Sequence, residues 1–273
     1  TPSNPFLFSE PPFLSMSTYD EVKDDVENLM RLFWDRLVKP ELDEPLRPSS
    51  PLFSALSASV DVARLLENGN YPTPTELFEA HSLLYNTFGR AVSQSELWQV
   101  AKRFYDKISS SIGGDVNKLM NLVLRAVSYI YASYFRHQLR AFIQEDLEKA
   151  REDFSHKRAY KYLDALLKLK RSLLDILSSL DRGSSVHVDA DAFKSFLING
   201  LSIYPQTADL LAEMFAISTN VLSRDEKDRK HLKKYISEEI ADVDLAISEL
   251  KKVLGVKQGS ANVDEEWLRK KQE

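Results

Sequence analysis

Cysteine is absent from this chain of 273 residues, and only eight residues are glycine. Without cysteine the chain has no disulfides, thiolate zinc sites, iron–sulfur clusters or cysteine nucleophiles. Proline is missing between Pro74 and Pro205, and most glycines stand where a helical pattern stops. Proline breaks a helix interior and glycine weakens one, so this distribution predicts an all-α protein.

Short catalytic and cofactor-binding motifs are also missing. The sequence contains no glycine-rich phosphate loop, no dinucleotide fingerprint, no His-Glu-x-x-His and no Gly-x-Ser-x-Gly. His187, Asp189 and Asp191 stand two residues apart, as metal ligands on an extended segment do, but either aspartate more simply caps a helix beginning at Ala190. We therefore predict no catalytic residue, no cofactor and no metal.

No long run of apolar residues is present. Residues 119–135 are the most apolar stretch, with 13 apolar residues among 17, and Asn121 and Arg125 interrupt them. A membrane-spanning helix needs about 20 predominantly apolar residues, so a buried helix is the better interpretation. We expect an intracellular, soluble protein without a transmembrane segment. The first residue, Thr1, also fits an organelle-matrix protein whose targeting peptide has been removed.

The periodicity predicts a bundle of about eight to ten helices with a long central helix and extended terminal arms. We divide the chain into a Pro/Phe-rich arm at 1–16, an acidic helical region at 17–112, and a tail at 255–273. Residues 113–254 form the central helix and a C-terminal bundle. The proline-rich linker at 39–50 is the best candidate for a hinge.

Helix starts and stops are marked locally. Ser50 followed by Pro51 is typical of a helix start, and Gly255 is typical of a helix end. Two heptad seams indicate the helices on which the C-terminal bundle is built. The seams are Tyr162, Leu166, Leu169, Leu173, Ile176 and Leu180, and then Ile236, Ile240, Val243, Ile247, Leu250 and Leu254.

Charge is distributed unevenly around a net value of −5. Residues 1–100 carry 15 acidic and 7 basic side chains, whereas residues 101–273 carry 26 acidic and 29 basic ones. A wholly basic nucleic-acid-binding protein is not expected from this balance, although a local basic face is compatible with it. The difference indicates that the two regions have different neighbours.

Both ends of the chain carry large apolar side chains in segments too short to bury them. These are Phe6, Phe8 and Phe13 in the arm and Trp267 and Leu268 in the tail. Because aromatic residues are enriched at the energetic centres of interfaces, we interpret the five as anchors on a partner. Contacts with the chain's own body are the alternative interpretation.

A basic segment lies between 149 and 171, with Tyr160 and Tyr162 among its cations. Such a helix can hold phosphates and stack on bases, although a solvated helix face has the same composition. The possible phosphate-binding residues are Lys157, Arg158, Lys161, Lys168, Lys170 and Arg171.

These patterns favour a non-enzymatic scaffold or interaction protein, a structural subunit of a larger assembly whose arms dock on neighbours. Other protein subunits are the expected partners, in a homo- or hetero-oligomer. The first alternative is a nucleoprotein-like helical protein that binds nucleic acid through the basic face at 149–171. The second is an all-α enzyme or small-ligand carrier without a recognisable motif.

Overall fold

The computed structural model describes residues 30–69 and 115–255 and, within the second range, the side chains from residue 121 onward. Of these residues 83% are helical and none lies in a strand, which confirms the predicted all-α class. The α-helices are α1 (Pro51–Glu67), α2 (Asp115–Glu152), α3 (Lys157–Asp181), α4 (Ala190–Leu201), α5 (Pro205–Leu222) and α6 (Glu226–Leu254).

Local capping explains where several helices begin and end. Ser50 Oγ accepts a hydrogen bond from the Leu52 amide, and Pro51 occupies the first turn of α1, as predicted. Asp225 caps α6 in the same way. At the other end of α6, Gly255 adopts a φ of 70°, a left-handed conformation that favours glycine. The predicted end of that helix is therefore confirmed.

Residues 30–41 form a continuous run of helical turns ahead of α1. Residues 30–33 are α-helical and lead into a π-helical turn, Trp34–Val38, and a 3-10 turn, Lys39–Glu41. Pro40 stands in the 3-10 turn near its start. A proline is tolerated there because its missing N–H group would have no partner within the turn.

Helices α3 and α6 are antiparallel, and the two predicted seams lie between them. Lys170 bonds to Asp244 at 2.7 Å, and Lys233 bonds to Asp181 at 2.9 Å, in opposite chain order. The seam residues are buried except for three half-buried ones, Ile176, Ile240 and Leu254. Apolar contact thus holds the two helices together, and the two ion pairs flank that contact.

Helices α2 and α6 run parallel, as three ion pairs at successive levels indicate. The pairs are Arg125–Asp228 at 2.8 Å, Arg136–Asp242 at 3.4 Å and Arg151–Glu249 at 3.2 Å. Between residues 128 and 139, every α2 side chain except Arg136 is buried. That stretch of α2 is therefore enclosed on all sides, in agreement with the apolar run read from the sequence.

Helices α1 and α5 cover other sides of α2. Ser59 of α1 shares a 2.8 Å hydrogen bond with the Tyr131 hydroxyl of α2, and the Phe135 and Phe215 rings lie 4.6 Å apart between α2 and α5. Phe193 of α4 stacks on Phe215 at 4.7 Å. These contacts join the described helices into one apolar core.

The linker expected to act as a hinge is instead fixed to α2. Gln138, fully buried, accepts a hydrogen bond from the Leu46 amide at 2.7 Å and donates to the Leu42 and Glu44 carbonyls at 3.2 and 2.7 Å. Leu42 and Leu46 are themselves buried. The hinge prediction is wrong, because a segment whose backbone is bonded into the core cannot bend freely.

Other predictions concern residues outside the described ranges. The arm at 1–16, most of the acidic region at 17–112 and nearly all of the tail at 255–273 lie there. The division into regions and the total number of helices stay predictions.

Candidate functional site

A four-residue turn at 153–156 joins α2 to α3 and holds the most exposed large apolar side chain of the described residues, Phe154, at 97%. The Asp153 carboxylate accepts hydrogen bonds from the Ser155 amide at 3.1 Å, the Ser155 hydroxyl at 2.7 Å and the Arg158 amide at 3.1 Å. These bonds lower the pKa of Asp153, the Ser155 hydroxyl most of all. The turn is therefore well ordered, and it projects Phe154 into solvent.

Three cations stand directly behind Phe154 at the start of α3. Lys157, Arg158 and Lys161 are exposed, and Arg158 and Lys161 interact electrostatically with Asp153 and Asp146 without forming a close salt bridge. The first turn of α3 contains no acidic side chain. A helix start carries partial positive charge and favours anions, and the Asp153 carboxylate, which accepts a hydrogen bond from the Arg158 amide, supplies one there. We call Phe154, Lys157, Arg158 and Lys161 the cationic turn.

The other basic residues predicted on this segment have partners. Lys168 bonds to Asp164 at 2.9 Å and Lys170 to Asp244 at 2.7 Å, and Arg171 has an interaction partner as well. Further toward α2, Lys149 and Arg151 bond to glutamates at 3.3 and 3.2 Å. The structure therefore does not present the six predicted phosphate-binding residues as one face of unpaired cations.

The cationic turn lies at the end of the bundle where α6 stops. Arg151, near the end of α2, bonds to Glu249, near the end of α6. Leu250 of α6 and Tyr162 of α3 line one small apolar gap with Asp146 of α2. The chain therefore leaves α6 and enters the tail close to the cationic turn. The five predicted anchors, Phe6, Phe8, Phe13, Trp267 and Leu268, lie outside the described residues.

Asp228 is the most completely paired buried acid. It accepts hydrogen bonds from Arg125 Nε at 2.8 Å, Arg125 Nη2 at 2.9 Å and the Tyr129 hydroxyl at 2.6 Å. The hydrogen bonds to Asp228 raise the pKa of Arg125, and burial raises the pKa of Tyr129. The three groups bond to one another and so join α2 to α6. Few of their hydrogen-bonding positions stay available to a substrate.

A second polar group lies further along the same helix pair. Arg136 stands 3.4 Å from Glu238 and 3.4 Å from Asp242, and the neighbouring Glu239 is 1% exposed. Burial raises the pKa of Glu239 well above its ordinary value, and that of Glu238 as well. One guanidinium thus faces three carboxyl groups, which favours a protonated Glu239.

Asp146 is the third buried acid, 6% exposed beside Tyr162. Its Oδ2 atom has no hydrogen-bond partner, and burial raises the pKa of Asp146 to about 7. The adjoining gap has no room for a water molecule. An acid in so dry and narrow a place has no access to a substrate.

One of the possible metal ligands, Asp189, takes a structural role. Asp189 Oδ1 accepts hydrogen bonds from the Asp191 and Ala192 amides at 3.1 and 3.2 Å, so it caps α4. Within residues 30–69 and 115–255, no group of three or more acidic or histidine side chains is arranged to hold a metal ion.

Comparisons with known proteins give no guide to the site. No protein-family model matches the chain, and searches of curated proteins and of solved structures return no significant match. Of the helices that the structure describes, none combines the length and the apolar character needed to cross a bilayer. The cationic turn is therefore the strongest candidate site on its own geometry.

Sequence reasoning identified the cations of this turn but not Phe154. The available signal was a single large apolar residue inside a short polar connection between two helical patterns. Such a residue belongs to neither helix's apolar face, so burial within the bundle does not account for it. The ion pairs of Lys168 and Lys170 were harder to predict from the sequence. One partner, Asp244, is far from Lys170 along the chain.

Proposed function

We propose that this protein is a non-enzymatic helical scaffold or interaction protein, a structural subunit of a larger assembly whose terminal arms dock on neighbouring subunits. One observation carries the proposal: the cationic turn exposes Phe154 almost completely, at the end of the bundle from which the tail departs. The helical body sets the spacing between such contacts.

The energetics of the turn support a role in binding. Leaving a phenylalanine in water forgoes roughly 1.5–3 kcal/mol that its burial would contribute. Asp153 holds the turn in one conformation before any partner arrives. A partner that covers Phe154 would gain that burial at little cost in ordering the loop. Phe154 and Arg158 are of types enriched in protein interfaces, whereas lysine is depleted there.

The body of the molecule has the rigidity that a spacer needs. Ion pairs join α2 to α6 at three levels and α3 to α6 at two. Each pair would be broken if one helix slid along another, so the bundle resists shear. A rigid body of this kind would fix the distance between the neighbours that it contacts in an assembly.

Light scattering of the purified chain tests the proposal. We expect a mass above that of one chain, and we expect deletion of 1–16 or of 256–273 to reduce it. Folding of each variant is checked by circular dichroism. The result would count decisively against an assembly subunit if the chain were a stable monomer and neither deletion changed its mass or the amount of complex recovered with it.

Nucleic-acid binding is the second candidate function, and one observation favours it. Phe154 stands beside Lys157, Arg158 and Lys161, so a base could stack on the ring while cations hold phosphates. Binding of single-stranded oligonucleotides at about 50 mM salt should then weaken as salt rises and fall in a Lys157→Glu, Lys161→Glu variant. No binding at that salt concentration would dismiss this function.

A further inference from the structure

The end of α4 closes a small apolar gap against three other helices. Asp146 of α2, Tyr162 of α3, Leu201 of α4 and Leu250 of α6 all line this gap. Asp146 is 6% exposed, and its Oδ2 atom has no hydrogen-bond partner. The gap has no room for a water molecule, so water cannot solvate that oxygen while the walls stay in contact.

The charged groups around Asp146 compensate its burial only in part. Lys149 and Glu145 act on it from α2 and Lys161 acts from α3, but burial has the largest effect and raises the pKa of Asp146 to about 7. Lys149 is bonded to Glu145 at 3.3 Å, and Lys161 is exposed to solvent. On α6, the charged residues that flank position 250 have interactions of their own, and these residues are Glu249 and Lys251.

An interaction through Tyr162 connects this acid to the end of α4. The Tyr162 hydroxyl interacts with the side chains of Asp146 and Ser202. Ser202 directly follows α4 and adopts a left-handed φ of 54°, a conformation that costs energy in a residue other than glycine. The end of α4 is therefore held in a strained conformation beside an acid that lacks a full set of partners.

Among the walls of the gap, α4 is the one least tied to the bundle. Of its 12 residues, Leu197 and Leu201 are buried. Its first turn is anchored, because Phe193 stacks on Phe215 of α5 at 4.7 Å. Helices α2 and α3, by contrast, are joined to α6 by ion pairs at several levels. The end of α4 can therefore separate from the gap while its start and the other walls stay in place.

We infer that residues 197–203, at the end of α4, form a lid that closes over Asp146 when the carboxyl group holds its proton and lifts when that proton passes to solvent. A charge in a gap without water is costly, and lifting the lid admits the water that solvates it. The inference does not depend on the proposed function, since it concerns a movement within one chain.

The direction of the pH dependence follows from the two forms of the lid. With the lid closed, Asp146 has a pKa of about 7. With the lid open, the carboxyl group should titrate near its ordinary value of about 4. The ratio of open to closed forms should therefore rise by up to about tenfold for each pH unit between about pH 4 and about pH 7, and level off above that.

Amide hydrogen exchange of the full chain tests this movement. The Ile203 amide donates to the Leu197 carbonyl at 3.2 Å and so reports on the lid, whereas the Val243 amide lies in the middle of α6 and reports on the body. After correction for the intrinsic exchange rate, protection of Ile203 should fall by at least about tenfold between pH 5 and pH 7. It should also depend less on urea than protection of Val243, because lifting a lid exposes little surface.

Two variants separate the acid from other causes. Asp146→Asn keeps the shape of the side chain and cannot ionise, so protection of Ile203 should become independent of pH. Asp175→Asn, an exposed change on α3, is the matched control and should keep the profile of the unaltered protein.

A single thiol gives a second measurement. The chain has no cysteine, so Leu197→Cys places one buried thiol in the lid. Adding Asp146→Asn to this variant should slow labelling of the thiol at pH 7 by at least about fivefold. Ionisation of the thiol cancels, because the two proteins are compared at the same pH.

Three results would overturn the lid. The first is a pH profile of Ile203 protection that Asp146→Asn leaves unchanged. The second is protection that falls at Ile203 and Val243 together with the same urea dependence, since Asp146 would then act on global unfolding alone. The third is Ile203 protection in the unaltered protein that stays constant from pH 5 to pH 8, since opening would then be independent of the proton.

Discussion

Asp228 joins the first turn of α6 to α2 through a single carboxylate. Arg125 approaches both of its oxygens, and the Tyr129 hydroxyl donates to one of them at 2.6 Å. Asp228 is 2% exposed, so water could not replace its carboxylate as the acceptor for these donors. Asp225, three residues earlier, makes a simpler contact: its exposed side chain caps the helix by accepting from the Lys227 and Asp228 amides. Asp228 thus belongs to a buried ionic network, whereas Asp225 is an ordinary helix cap.

Replacing Asp228 should therefore cost far more than replacing Asp225. We expect Asp228→Ala to lower the free energy of unfolding by about 3–5 kcal/mol, because it leaves a guanidinium and a buried hydroxyl without an acceptor. Asp225→Ala should cost about 1 kcal/mol, as the loss of a helix cap does. Urea denaturation of the two variants measures the difference. Equal losses would show that Arg125 and Tyr129 find other partners.

Among the structural elements, the linker between the 3-10 turn and α1 depends on one residue of α2. Gln138 uses its amide oxygen and nitrogen to bind three backbone groups of residues 42–46. Thr207 of α5 adds a hydrogen bond to the Leu46 carbonyl at 3.0 Å. His137, next to Gln138, lies 3.1 Å from Asp43. The linker is thus held from two helices, and Gln138 supplies three of its hydrogen bonds.

Gln138→Leu, which keeps similar volume, should release this linker. The Leu46 amide would lose its acceptor in a buried place, and we expect the free energy of unfolding to fall by about 1–3 kcal/mol. Amide hydrogen exchange at Leu46 should accelerate, and proteases should begin to cut between residues 42 and 48. Gln144→Leu is the control, since Gln144 is exposed on the same helix. Unchanged exchange at Leu46 would contradict the assigned role of Gln138.

Elements were predictable from sequence where their signals were local. Ser50 with Pro51, Asp189 and Gly255 mark helix ends through contacts within a few residues, and the structure places helix boundaries beside all of them. The attachment of the linker was not predictable in this way. Gln138 stands more than 90 positions from the backbone groups it binds, and a proline-rich composition gives the same local signal in a fixed segment as in a free one.

The candidate site was only partly predictable for a related reason. Lys157, Arg158 and Lys161 were recognised by charge, which is visible in any sequence. A cation that is paired in the folded protein is less available to a ligand. Lys170 is paired with Asp244, and the sequence does not show that partner. The position of Phe154 at the tip of the turn depends on where two helices end, so its exposure became evident only from the fold.

At the scale of the whole molecule, several carboxyl groups are buried without a full set of partners. Burial raises the pKa of Asp146 to about 7 and the pKa values of Glu238 and Glu239 above their ordinary range. The folded state therefore holds protons that the unfolded chain releases. Stability from these groups is present at acidic pH and is lost as pH rises through the folded-state pKa. His137 and His231 oppose this trend below about pH 6.5, because burial lowers their pKa.

Asp146→Asn isolates one of these groups, because asparagine fills the same space and cannot ionise. For the unaltered protein, this one carboxyl should reduce stability by up to about 1.4 kcal/mol for each pH unit between about pH 4 and its folded-state pKa. The variant should therefore match the unaltered protein near pH 4.5 and become the more stable of the two by pH 8. The histidine contributions cancel in this comparison because both proteins share them.

Denaturation at several pH values measures the difference between Asp146→Asn and the unaltered protein. Asp175→Asn, an exposed change on α3, is the control. Parallel pH profiles for Asp146→Asn and the unaltered protein would mean that Asp146 ionises as freely in the folded chain as in the unfolded one.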